Sequence, residues 1–197
     1  MSGERAAGPD VTEPVTEDPR PEGLRPARSL VLVNTGDGKG KSTAAFGVVM
    51  RSVARGWRVA VIQFLKSGKW HVGEEDTAKR LGVDWWAIGE GFSWESDDLS
   101  RDEAVAREAW RHAAAVIAAG DHQLVILDEV TYPINWGWID GREVTDAIHD
   151  RPRQVNIVAT GRDAPEALRA VADTVTEMAN AKHAFDTGIG AMRGIEF

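Results

Sequence analysis

Lys41 and Ser42 close a glycine-rich run, Thr35-Gly-Asp-Gly-Lys-Gly-Lys-Ser-Thr43, which follows the apolar segment Leu30-Val31-Leu32-Val33. A buried strand that breaks into such a loop and then opens a helix is suited to hold phosphate. Glycines let backbone N–H groups converge on an anion, and the helix N-terminus adds partial positive charge. The lysine supplies a point charge, and the serine hydroxyl can ligate Mg²⁺. Thr35, Gly36, Asp37, Gly38, Lys39, Gly40, Lys41, Ser42 and Thr43 are therefore read as nucleotide-binding. The usual spacing Gly-x-x-x-x-Gly-Lys-Ser needs glycine where Thr35 stands, so the loop is a variant. The competing reading is an ordinary glycine-rich strand-to-helix turn.

A second chemistry-bearing string is Leu124-Val125-Ile126-Leu127-Asp128-Glu129, an apolar strand ending in two carboxylates. Beside a phosphate loop, Asp128 would hold Mg²⁺ directly or through water, and Glu129 would sit over the phosphates or the reacting group. Alone, such a pair is more often a helix cap. Arg162, in Thr160-Gly161-Arg162 after another apolar run, is either a bidentate phosphate ligand or a surface arginine after a turn. Phe92 and Trp94 in Gly89–Glu95, and Tyr132, Trp136 and Trp138 after the acidic pair, are either core plugs or a wall for a flat ligand. Eight tryptophans in 197 residues, several in expected loops, suggest a large, flat, partly apolar second substrate. The five histidines lack metal-ligand spacing, and His112 reads as a satisfied core residue on an apolar helix face. No Gly-x-Ser-x-Gly elbow is present, so nothing points to a hydrolase triad.

The elements that must position these residues alternate in type. Strands are expected at 29–34, 58–65, 83–88, 123–127, 154–160 and 174–178. Helices are expected at 41–55, 74–81 and 164–171, the last with Pro165 in its first turn. A further helix is capped by Ser100-Arg-Asp-Glu103 and ends at Gly120. Apolar strands joined by helices read as an α/β, P-loop NTPase-like (RecA-like) domain, a mostly parallel sheet with helices on both faces. Right-handed crossovers gather the strand C-termini, and hence every motif above, on one edge. Residues 1–28 hold five of the eight prolines and few large apolar side chains, and read as a flexible extension before a single domain at 29–197.

Composition bounds the function from outside. With 43% hydrophobic and 27% charged residues, the chain is expected to be a soluble globular protein. A net charge of −8 disfavours nucleic-acid and membrane-surface partners. No apolar run reaches the roughly 18–20 residues needed to span a bilayer, and no signal-peptide pattern opens the chain. The absence of cysteine excludes disulfides, thiol nucleophiles and thiolate metal sites, and fits a cytoplasmic protein.

Taken together, several strings in one order resemble the P-loop class of corrinoid adenosyltransferases. They are Thr35–Phe46, Gln63–Lys66 with Gly73-Glu74, Gly89–Trp94, Leu127–Trp138, Thr160–Arg162, and Asp173–Phe185 with Gly194–Phe197. The resemblance implies transfer of the adenosyl group of ATP to cobalt in the making or salvage of adenosylcobalamin. Cobalt(I) of the corrinoid would attack C5′ of ATP and release triphosphate. It also implies reversed seating of ATP, so that Lys39, Lys41, Arg162 and Mg²⁺ on Ser42 hold the leaving triphosphate, with Asp128 and Glu129 organising the metal. Phe92 and Trp94 would displace the lower axial ligand of cobalt, and Tyr132 and Trp136 would contact the corrinoid. A homodimer is implied, as is an N-terminal segment that can close over the corrinoid; a reduced flavoprotein is a plausible electron donor. The chain departs from the family pattern at Asp37, where Asn is commoner, and at Ser42, where Thr is. Rival readings are a kinase or ATPase on the same fold, yielding ADP or phosphate, and a non-catalytic ATP-gated corrinoid carrier.

Overall fold

The computed structural model describes residues 14, 16–18, 20–65, 73–89 and 99–196. Its elements run β1 (Val31–Thr35), α1 (Lys41–Val53), β2 (Val59–Gln63), α2 (Gly73–Arg80), β3 (Asp84–Ala87) and α3 (Leu99–Ala119). They continue as β4 (Leu124–Asp128), α4 (Thr131–Asn135), α5 (Gly141–His149), β5 (Asn156–Thr160), α6 (Glu166–Ala170) and β6 (Thr174–Glu177). A 3₁₀ turn follows at Ala184–Thr187. The strands form one sheet in the order β3-β2-β4-β5-β1-β6. Every strand pair is parallel.

Alternation along the strands divides the core in two. Val33, Ile62, Leu127 and Ile157 face α3, α5 and α6, meeting Ala109, Ala113, Ile117, Val144, Ile148 and Leu168. Val61, Ile126 and Val158 face α1 and α2, meeting Ala45, Phe46, Val49 and Ala78. Apolar side chains on both faces explain why these runs read as continuous rather than alternating. With helices on both faces and a wholly parallel sheet, the α/β architecture expected from the sequence is the one found.

Several local expectations need correction. Leu99 is already helical, so Ser100 lies in the first turn of α3 and is not its cap; Glu103 pairs instead with Arg107 at 2.6 Å. Pro165 is the N-cap of α6, with ψ 147°, because its ring suits the extended entry to the helix. Helices α4 and α5 stand between the fourth and fifth expected strands, where the sequence reading placed no helix. The latter is capped by Asp140, whose side chain accepts from the Arg142 N–H at 2.8 Å. His112 is not a satisfied core residue. Its ring packs edge-on against Trp86 at 4.5 Å, and among the described residues its Nε2 has no hydrogen-bond partner. Strand β6 is an exposed edge that, among the described residues, pairs with β1 alone. The described residues between 14 and 28 form neither helix nor strand and are exposed. Among the described residues, no helix is long and apolar enough to cross a membrane.

Candidate functional site

Strand β1 ends at Thr35, which is buried; its Oγ1 accepts from the Ala164 N–H at 3.0 Å. The chain then turns through Gly36 (φ 92°) and Gly40 (φ 108°), the second being the left-handed N-cap of α1. No side chain caps α1, and its first turn carries no acidic residue, so its leading N–H groups are open to an anion. Gly38 is buried beneath the segment after β6, and its N–H donates to the Met178 carbonyl at 2.7 Å.

The lysines are held apart. Lys41 Nζ donates to the carbonyls of Gly36 (2.7 Å) and Gly38 (2.6 Å), curling the loop around itself. Burial, then the charge of Arg162, lowers its pKa from the ordinary 10.5, while Asp37 and Glu129 partly offset that. Lys39 turns outward to an ion pair with Glu196, far along the chain. Asp37 and Thr43 are exposed, and Ser42 is half-buried.

Strand register brings the acidic pair to the same edge. Asp128 is opposite Gln63, and Asn34 is opposite Thr160, so β2, β4 and β5 each end in a polar residue on the α1 side, and β1 carries one there just before its end. Asp128 is fully buried. Its Oδ2 accepts from Gln63 Nε2 (2.9 Å) and its Oδ1 from Thr160 Oγ1 (2.8 Å). Gln63 Oε1 in turn accepts from Trp85 Nε1 at 3.1 Å. Thr160 Oγ1 accepts the Glu129 N–H at 2.9 Å. Glu129 has φ 65°, a left-handed backbone rare outside glycine. Asn34 Nδ2 donates to the Lys41 carbonyl at 3.2 Å, tying this row to the loop.

Arg162 follows β5, between β4 and β1 in the sheet. Its carbonyl accepts from Thr131 Oγ1 at 2.6 Å, and Asn135 Nδ2 donates to the Asp163 carbonyl at 3.0 Å. Helix α4 thereby braces the Arg162 backbone while its side chain stays exposed. Tyr132 joins the same group: burial raises its pKa above 10.0, with Glu129, Asp163 and Asp37 adding to the rise and Arg162 opposing it. Its ring lies 5.7 Å from that of Trp136, which is 40% exposed and 4.6 Å from Trp138. Phe92 and Trp94 lie outside the described residues.

The structure thus brings together Lys41, Asp37, Glu129, Arg162 and Tyr132, with Asp128 buried below. It sets Lys39 outward. Sequence reasoning gave no role to Gln63, Thr160, Asn34 or Glu196, because only strand register and the path of residues 178–196 place them here. Among the described residues, no group of three or more His, Asp or Glu could hold a metal unaided. The available donors, one hydroxyl and two carboxylates, are hard oxygens that suit Mg²⁺ completed by substrate phosphates.

A parallel sheet with an uncapped helix and cationic loop after its first strand, and an acidic pair after its fourth, defines a P-loop nucleotide-binding protein. The family model described as ATP:corrinoid adenosyltransferase BtuR/CobO/CobP matches residues 27–197, and the chain belongs to that family. It is an ATP:corrinoid adenosyltransferase of cobalamin biosynthesis, with ATP and a corrinoid as substrates. The corrinoid adenosyltransferase of Pseudomonas aeruginosa is 43% identical over 175 residues, covering 88% of this chain and 86% of the relative. That of Escherichia coli K12 is 39% identical over 170 residues, 86% of each chain. The corrinoid adenosyltransferase CobA of Salmonella typhimurium is 38% identical over 170 residues, again 86% of each.

Proposed function

We propose that residues 36–43 hold the triphosphate of ATP as a leaving group, with C5′ presented toward the acidic pair and the aromatic wall. The observation that carries this is the uncapped N-terminus of α1 beside Lys41, an anion site whose other charged neighbours are Arg162, Glu129 and Asp37. Cobalt(I) supplies both electrons of the new cobalt–carbon bond. The C5′–O bond breaks, and its electron pair leaves on the triphosphate. Negative charge therefore grows at the bridging oxygen, where donors fixed beforehand count most. The α1 N–H groups, Lys41, Arg162 and, once freed from Glu196, Lys39 stabilise that charge. Mg²⁺ would be held by Ser42 and Glu129 with Asp128 beneath them, and supplies neutralisation of the phosphate oxygens.

Tyr132 and Trp136 offer the corrinoid a pair of tilted aromatic rings, and Phe92 and Trp94 are assigned to the lower side of cobalt on resemblance alone. We further propose a homodimer and a reduced flavoprotein as electron donor. A cytoplasmic setting fits the absence of cysteine. The test is Lys41→Ala assayed with ATP, Mg²⁺ and chemically reduced corrinoid. Triphosphate release should fall by about 100-fold or more while corrinoid binding persists; normal turnover would remove the assignment of the loop.

A further inference from the structure

The polar row under the site admits only one hydrogen-bond arrangement. At one end stands an indole N–H, Trp85 Nε1, and at the other a backbone N–H, that of Glu129; both can only donate. Gln63 must therefore turn its oxygen to Trp85 and its NH₂ to Asp128. Thr160, already accepting from Glu129, must point its own hydrogen at Asp128. Both chains of donors converge on one carboxylate, and neither amide nor hydroxyl can reverse without leaving a buried donor unpaired. Gln63, Asp128 and Thr160 are all 1% exposed or less, so water does not compete for these bonds.

From this we infer that Gln63 and Thr160 are positioning residues for the reaction. Gln63, with its own orientation locked by Trp85, fixes the plane of the Asp128 carboxylate. Thr160 fixes its other oxygen and, through the Glu129 N–H, the left-handed backbone that presents Glu129. The row is more than core filling, because a buried polar group serving only packing would be replaced at little cost by an apolar residue of the same shape. Here each strand turns polar at the same rung, and the row reaches the phosphate loop through Asn34, whose Nδ2 donates to the Lys41 carbonyl.

This inference rests on the proposed role of Asp128, and a mutant cycle separates the two. Magnesium-dependent ATP binding, measured by calorimetry without corrinoid, is compared in wild type, Gln63→Met, Asp128→Ala and the double variant. Each single change should weaken binding about 10-fold, and the double should be no weaker than Asp128→Ala within about twofold, since Gln63 acts through the missing carboxylate. Thr160→Val should weaken binding similarly, and Thr160→Ser should restore it to within about threefold. In turnover, KM for the corrinoid should stay unchanged in every variant. Multiplicative losses, about 100-fold in the double variant, would overturn the positioning role. Wild-type binding by Asp128→Ala would instead overturn the role proposed for Asp128. Should Gln63→Met fail to fold, Trp85→Phe removes the locking N–H along with part of a core ring; the expected loss is about threefold, and unchanged binding there refutes the inference.

Discussion

Replacing Gly38 by alanine is a perturbation whose cost follows from the atoms around it. A Cβ at Gly38 would lie 2.5 Å from the Ala179 carbonyl oxygen, 2.7 Å from its carbon and 2.8 Å from the Met178 oxygen, where ordinary contact begins at 3.4 Å. All three are backbone atoms, so no side-chain rotation relieves the clash, and the loop must lift by nearly 1 Å. Such overpacking costs about 1–3 kcal/mol, and loss of the 2.7 Å bond from the Gly38 N–H to Met178 adds about 1 kcal/mol. A total near 3 kcal/mol lowers Tm by roughly 6–12 °C in a chain of this size. Because donors displaced by 1 Å can cost about 100-fold in rate, kcat/KM for ATP should fall about 10–100-fold. The matched control is Gly47→Ala on the exposed side of α1, where a Cβ meets nothing within 4 Å. It should gain about 1 kcal/mol, raising Tm by about 2–4 °C, with ATP kinetics unchanged. Thermal unfolding followed by circular dichroism, together with steady-state ATP kinetics, reads both variants. Wild-type Tm and ATP kinetics in Gly38→Ala would refute the placement of residues 178–179 over the loop.

Three other outcomes are expected. The protonated Lys41 ammonium binds triphosphate, and its pKa is lowered by burial, so ATP affinity should decline on the alkaline side beginning below pH 10.5. Lys41→Arg, which does not titrate there, should bind without that decline whatever its absolute affinity; an unchanged alkaline limb would assign it to another group. Asp37→Asn removes a carboxylate whose charge reaches Lys41; calorimetry should show ATP binding tighter by about two- to fivefold, with the gain fading at high salt. Asp140→Ala deletes the α5 cap. Tm should drop by about 2–4 °C for about 1 kcal/mol lost, with kcat unchanged, as thermal melts and turnover assays would report.

The loop at 35–43 and the Asp128-Glu129 pair were legible in the sequence because each is a local string set against an apolar run. The parallel α/β sheet was legible for the same reason. Strand register was not. Gln63, Asp128, Thr160 and Asn34 meet only because β2, β4, β5 and β1 align at that rung, and register belongs to pairs of strands rather than to any one. Helix α4 is five residues long with Pro133 inside it, and local signals favour a turn there. Helix α5 did leave a signal, since Asp140 precedes Val144 and Ile148 at helical spacing. Its short length beside a tryptophan-rich stretch hid it. Glu196 at Lys39 is a tertiary contact across 157 positions, which no local pattern encodes.

Where β1 sits in the sheet bears on how this protein is made. Among the described residues, β1 is made before the other strands yet is bonded to none of the next three; its neighbours are β5 and β6. A nascent chain that has not yet extruded residue 156 carries the phosphate loop on a strand with both edges bare. The loop gains its cover only when Met178 and Ala179 emerge. The phosphate loop therefore reaches its final packing only after residue 179 has been made. The same wait leaves an apolar strand without partners for more than a hundred residues of synthesis, which makes that interval the one in which a chaperone has most to protect.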